Sequence, residues 1–103
     1  FFFEHALIMP HLMLAEYAGA AEIGRRAIEL NPWFSSAYKG HLSALGHLDR
    51  GRETTAILAR LLDLEPQFTV EAAVARSPLT RPEDLERYAE GLRRAGLPEK
   101  RAA

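Results

Sequence analysis

Residues 27–34 read AIELNPWF, and residues 61–68 read LLDLEPQF. Both stretches begin with two apolar residues, and an acidic residue, a leucine, a proline and a phenylalanine then occupy the third, fourth, sixth and eighth positions. The two stretches are 34 residues apart, and the register extends without a gap over residues 14–34 and 48–68. An internal repeat of this length indicates an architecture built from copies of one supersecondary unit.

Helical periodicity dominates the chain on both sides of these stretches. Apolar residues at intervals of three and four share one helix face, and the first such stripe comprises Ala20, Ile23, Ala27 and Leu30. Similar stripes lie at 57–64 and 85–95, whereas the strict alternation typical of strands is nearly absent. We therefore predict an all-α fold of six helices, at about 3–15, 18–30, 35–48, 52–64, 69–76 and 81–95.

Proline, glycine and capping residues mark where these helices begin and end. Pro32 comes just after a stripe, and the residue before a proline resists the α conformation. We expect Ser35 or Ser36 to cap the third helix and residues 80–83, TRPE, to form a capping box with proline in the first turn of the last helix. Gly96 predicts the end of that helix.

The 34-residue period over two antiparallel helices resembles the tetratricopeptide repeat. Residues that fit the pattern of that family are Leu7, Ala20, Ala27 and Pro32 in the first copy and Tyr38 and Pro66 in the second. Residues that depart from it are Glu4, Ile8, Gly24, Leu42, Thr54 and Leu61. The resemblance implies a single domain over 1–103, with repeat one at about 1–34, repeat two at about 35–68 and a capping helix pair at about 69–96.

A second resemblance covers about residues 14–99, and the ending LRRAGLPE at 92–99 is its most characteristic part. This region is similar to the C-terminal helical-repeat tail of bacterial class III adenylate or guanylate cyclases and of winged-helix regulators. In those proteins the repeats are a protein-binding or regulatory region, and catalysis resides in another domain. The resemblance implies a non-catalytic protein–protein interaction module within a larger bacterial signalling protein such as an adenylate cyclase, located in the cytoplasm.

Composition argues against several classes of partner. The formal net charge is -1 and the chain has no cysteine, so neither whole-chain attraction to nucleic acid or anionic membranes nor a thiolate zinc site is expected. The most apolar segment, residues 1–14, is too short and too interrupted by polar residues for a membrane helix. We expect a protein or peptide partner, or the protein's own upstream domain, and neither nucleic acid nor membrane.

The resemblance also predicts a binding surface, because the first helix of each pair lines a concave groove. The positions expected to be exposed in that groove are His5, Met9, Leu12, Met13, Lys39, Ser43, Gly46 and His47. Methionine side chains suit an adaptable surface for a peptide or helix. In the alternative interpretation Met9, Leu12 and Met13 pack in the core or against a missing preceding repeat.

Two further hypotheses come from the N-terminal aromatics and the histidines. Three consecutive phenylalanines, residues 1–3, cannot all face one core. They either face a missing preceding repeat or form an exposed patch, and in the second case we predict a homodimer through the N-terminal helix. The histidine pairs at 5 and 11 and at 41 and 47 are six residues apart, which does not match the i, i+4 spacing of a helical zinc site. We expect no metal, cofactor or catalytic residue; a small helical enzyme or metal-binding protein is the alternative.

Overall fold

The computed structural model describes residues 8, 10–12, 15–77 and 79–100, and within these ranges it contains helices and no strand. The first helix, α1, includes the described residues 8 and 10–12. The others are α2 (Tyr17–Leu30), α3 (Ser35–Leu48), α4 (Gly51–Leu64), α5 (Val70–Arg76) and α6 (Pro82–Arg94). The predicted all-α fold of six helices is confirmed, and the bounds predicted for α2 to α6 lie within one residue of those observed.

Helix α3 lies at the centre of the fold. Residues 40–46 are all buried, because α2, α4 and α6 each pack against α3. Helix α5 packs against α6. A helix that is covered on several sides needs small and apolar residues around its whole circumference, and the α3 sequence SSAYKGHLSALGHL supplies them.

Helices α2 and α3 run antiparallel. Tyr17, at the start of α2, stacks on His47 near the end of α3, with ring centroids 4.1 Å apart and 9° between the rings. Midway along both helices, Gly24 lies against the imidazole of His41. The start of one helix thus meets the end of the other, as the four-residue connection between them predicts.

The repeated stretches supply core residues at three of their shared positions, the first, the second and the eighth. Leu61 is fully buried in α4, and Phe68, the last residue of the second stretch, is also buried. Tyr38 is fully buried in α3 and donates a hydrogen bond from its hydroxyl to the Pro32 carbonyl at 2.9 Å. Leu30 departs from the prediction: it ends α2 with 59% of its surface exposed, although periodicity places it on the buried stripe.

The predicted serine and threonine caps are wrong. Helix α3 begins at Ser35 itself, with Phe34 at the N-cap and no side-chain cap; the Ser35 hydroxyl instead donates to Glu65. Arg81 is the N-cap of α6, again without a side-chain cap, so the capping box is absent although Pro82 does lie in the first turn. The contact of Ser35 with Glu65 joins residues 30 positions apart, which a local sequence pattern does not reveal.

The predicted end of α6 is confirmed. Gly96 has a φ of +99°, and its N–H donates to the Arg93 carbonyl at 3.0 Å while the Leu97 N–H donates to the Leu92 carbonyl at 3.1 Å. This pair of bonds is a Schellman motif, which favours glycine at the left-handed position.

The residues after Gly96 connect the end of α6 to the start of α5. The carbonyls of Pro98 and Glu99 accept hydrogen bonds from the N–H groups of Val70 and Glu71, both at 2.9 Å. These N–H groups belong to the first turn of α5, where no intrahelical acceptor exists. The ending LRRAGLPE therefore has a structural role in joining the last two helices.

Substitution of Gly96 by alanine is expected to lower the free energy of unfolding by about 1–2 kcal/mol, the cost of a left-handed conformation for a residue with a Cβ. Urea denaturation of the two proteins measures the difference. A Gly96→Ala variant as stable as the wild type would contradict the left-handed geometry at this residue.

Candidate functional site: the α3 groove and the adjacent cleft

Half of the predicted groove residues can be placed on α3 and half belong to the N-terminal segment. His5, Met9 and Met13 lie outside the described residues. Leu12 is 1% exposed and belongs to the hydrophobic core, so its expected exposure is wrong and it follows the alternative interpretation of core packing.

Ser43 and Gly46 are also buried, and the prediction that they line an open groove is wrong. Helix α6 covers them. The Ser43 hydroxyl donates to the Tyr88 carbonyl of α6 at 2.8 Å. The half-buried His47 donates from Nε2 to the Arg87 carbonyl at 2.7 Å. Both contacts use backbone carbonyls in the middle of α6, so α3 contacts the helix backbone as well as its side chains.

The physical reason for this cover is the absence of a side chain at two facing positions. A Cβ added at Gly46 would overlap the Gly91 carbonyl of α6, and a Cβ added at Gly91 would overlap the Ser43 carbonyl and hydroxyl. The two helices therefore pack backbone against backbone at this crossing. Tyr88 and Leu92 of α6, 5% and 0% exposed, bury their side chains beside it.

Lys39, the remaining predicted residue, lies near the start of α3 in a different environment. Its ammonium group is 2.8 Å from Glu65 Oε2 and 4.6 Å from the centroid of the Phe68 ring. Glu65 also accepts a hydrogen bond from Ser35 at 2.6 Å and forms an ion pair with Arg76 at 3.3 Å. One carboxylate thus joins the start of α3, the end of α4 and the end of α5.

The protonation of Glu65 reflects these contacts. Partial burial acts to raise its pKa, but the hydrogen bonds from Lys39 and Ser35 and the charges of Lys39 and Arg76 outweigh burial, and the pKa is lowered overall. Glu65 is therefore a carboxylate that holds two cations at neutral pH.

A cleft of about 650 Å³ adjoins this cluster at the connection between α4 and α5. Its lining includes Glu65, Phe68, Ala72, Arg76 and Lys100. It combines apolar surface with charges of both signs, the composition of a site for a polar segment of chain rather than for a wholly apolar ligand.

Sequence reasoning missed Glu65, Phe68, Arg76 and Lys100 as site residues. The repeat itself contained a usable signal, because Glu65 stands where the first copy has Asn31. A residue that is charged in only one of the two copies is not explained by the packing that both copies share, so it is a candidate for a role specific to that copy. Arg76 reaches Glu65 because α5 places it there, and no pattern in the sequence predicts that contact.

Of the two histidine pairs, only His41 and His47 are both described, and their side chains do not converge; His5 lies outside the described residues. His41 faces α2 while His47 lies between Tyr17 and the α6 backbone. Among the described residues, no group of three or more histidine, aspartate or glutamate residues could hold a metal ion. None of the described helices is long and apolar enough to cross a membrane.

Comparison with protein-family models, curated proteins and solved structures found no match to this chain.

Proposed function

We propose that this chain is a non-catalytic protein-interaction module built from tetratricopeptide-like helix pairs, which binds an acidic peptide segment of a partner at the Lys39 end of the α3 groove. The observation that carries the proposal is the cleft of about 650 Å³ beside the cluster of Lys39, Glu65 and Arg76. The repeat period and the short antiparallel connections support the helix-pair architecture.

Helix α6 restricts where a partner can bind. It covers Ser43 and Gly46 and accepts a hydrogen bond from His47, so the C-terminal half of the α3 face is occupied within the chain. Lys39 lies one to two helical turns before these residues, beyond that contact. A partner that approaches the groove therefore meets the cleft at the Lys39 end.

The charges at this end favour an acidic segment. Lys39 and Arg76 share the carboxylate of Glu65, and Lys100 and the carboxylate of Glu71 also line the cleft, so three cations and two anions lie in or beside it. A carboxylate of the peptide can take a charge-assisted hydrogen bond from a cation that Glu65 only partly neutralises. The apolar lining, which includes Phe68 and Ala72, can accept the neighbouring side chain of the peptide.

The cellular setting belongs to the same proposal. The similarity of residues 92–99 to the end of bacterial cyclase and regulator tails supports a regulatory region within a larger cytoplasmic signalling protein. The hydrogen bonds from α5 to the carbonyls of this ending give its residues a structural role in the fold. In that setting the acidic segment belongs to another protein or to an upstream domain.

Selection from a displayed random-peptide library tests the proposal. The wild-type domain is expected to enrich peptides rich in aspartate or glutamate, and Lys39→Met should weaken binding of the selected peptides by about tenfold. This substitution keeps most of the aliphatic stem and leaves Glu65 paired with Ser35 and Arg76. Circular dichroism confirms that the variant is folded.

The matched control is Arg52→Met, which removes a cation from an exposed position of α4 that has no ion-pair partner among the described residues. It should bind the selected peptides as the wild type does. No enrichment by the wild type, or equal binding by a folded Lys39→Met variant, would contradict the proposed site.

A further inference from the structure

The end of α2 and its connection to α3 each expose a large apolar side chain. Trp33 is 80% exposed and Leu30, three residues earlier, is 59% exposed. Tryptophan is costly to leave in water and is enriched among the residues that dominate protein–protein binding energies. An exposed pair of this kind marks a candidate interaction surface.

A shallow cleft of about 200 Å³ lies beside Trp33. The residues of the connection, of α3 and of α4 that line it are Pro32, Trp33, Tyr38, Arg60, Asp63 and Leu64. The Arg60 guanidinium rests 5.4 Å from the centroid of the Tyr38 ring. The Tyr38 ring beneath that guanidinium is fully buried, so the cleft offers the apolar surface of Pro32 and Leu64 next to the exposed indole.

Two opposite charges on this surface lack a partner of opposite charge. Asp63 has no hydrogen bond or ion pair with any described residue, and the contact of Arg60 is with an aromatic ring. Some other exposed charges are paired, as Arg25 is with both Glu22 and Glu29 and Arg93 with Glu86 and Glu99, whereas Arg52 on the same helix has no ion-pair partner among the described residues. One surface with an unpaired cation, an unpaired anion and an exposed indole is complementary to itself.

We propose that two copies of this chain associate through this Trp33 surface as a two-fold symmetric dimer. In such a dimer each residue of one copy meets the complementary residue of the other. Trp33 of each copy packs on the cleft of the other, and Arg60 of each copy faces Asp63 of the other. The proposal uses none of the residues that line the peptide cleft, so it stands independently of the proposed function.

Sedimentation equilibrium over a range of concentrations tests the dimer. The wild type is expected to show a mass that rises with concentration towards that of two chains, and Trp33→Ala should weaken association by about tenfold or more. The matched control is Val74→Ala, which truncates another exposed apolar residue, on α5, and should associate as the wild type does.

Charge reversal identifies the contact itself. Arg60→Glu and Asp63→Arg should each abolish association, because like charges then face each other twice across the symmetric interface. An equimolar mixture of the two variants should regain association, since every facing pair in the mixed dimer is again of opposite sign. Circular dichroism establishes that each variant is helical before it is used.

Three results would overturn the proposal. One is a wild-type mass that stays that of one chain at every concentration. Another is association that Trp33→Ala leaves unchanged, which would assign the dimer to a different surface such as the N-terminal helix. The third is a mixture of folded Arg60→Glu and Asp63→Arg chains that does not associate.

Discussion

Replacement of Gly46 by alanine is expected to lower the free energy of unfolding by about 3 kcal/mol. The added methyl group would overlap the Gly91 carbonyl and would lie 3.1 Å from the Ala95 nitrogen. Because both obstacles are backbone atoms, rotation of a side chain cannot relieve them, and α6 must move away from α3. That movement also breaks the Ser43 and His47 hydrogen bonds to α6. Urea denaturation followed by circular dichroism measures the loss.

The matched control is Gly51→Ala at the start of α4. Nothing lies within 4 Å of a Cβ added there, so the substitution should leave stability unchanged or raise it by up to about 1 kcal/mol through the higher helix propensity of alanine. Alanine also has the higher helix propensity at position 46, which partly offsets the clash there. The expected decrease of about 3 kcal/mol in the free energy of unfolding already includes this offset. A Gly46→Ala variant as stable as the Gly51→Ala control would contradict the packing of α6 on α3.

The protein should lose about 2 kcal/mol of stability between about pH 7 and about pH 5 through His41 alone. Burial lowers the pKa of His41 to about 4, and the charges of Arg50 and Arg25 act in the same direction. The backbone of Ala21 and the carboxylate of Glu22 oppose the shift without cancelling it. His41 is 1% exposed, and its Nδ1 has no hydrogen-bond partner among the described residues.

The sign follows from proton linkage. The unfolded chain binds a proton on this imidazole near its ordinary pKa of 6.5, whereas the folded chain binds it only near pH 4. Protonation therefore favours the unfolded state, and the contribution of His41 to stability, fully present above about pH 6.5, falls as the pH decreases towards about 4. The total loss over that window is about 3 kcal/mol.

Urea denaturation at several pH values, with His41→Leu as the comparison, isolates this effect. The variant replaces the imidazole with an apolar side chain that cannot take up a proton. Its stability should fall less than that of the wild type between about pH 7 and about pH 5, because it lacks the His41 imidazole and shares every other titratable group with the wild type. Parallel pH profiles for the two proteins would show that His41 is not held neutral by burial.

The helices themselves could be predicted from sequence because their bounds depend on local chemistry. The stripes at 57–64 and 85–95 and the proline and glycine signals specify which residues are helical and where the chain turns. Local patterns do not specify which distant helices meet. The packing of α6 on α3 depends on Gly46 and Gly91, 45 residues apart in the chain, facing each other. Because other helices of this chain also contain glycines, the sequence does not indicate which two meet.

Of the described groove residues, Lys39 alone lies in the cluster beside the cleft. It was expected to be exposed because of its repeat position, but its side chain is only 18% exposed and does not itself line the cleft. Its partners Glu65 and Arg76 come from two other helix ends, and the register of a repeat gives no information about such contacts. Ser43 and Gly46 were misassigned because the groove of an extended repeat was assumed to be open, whereas the last helix of this chain covers it.

The measurement that tests this account most directly is a nuclear Overhauser effect between the α-protons of Gly46 and Gly91 in the folded domain. Both the closure of the C-terminal half of the groove and the restriction of a partner to the Lys39 end depend on this contact. Cross-peaks between these glycines, together with contacts from Ser43 to Tyr88, are the predicted result. A folded, helical domain whose spectra connect α3 to α2 and α4 but give no cross-peak between α3 and α6 would contradict the account, because the groove would then be open along its whole length.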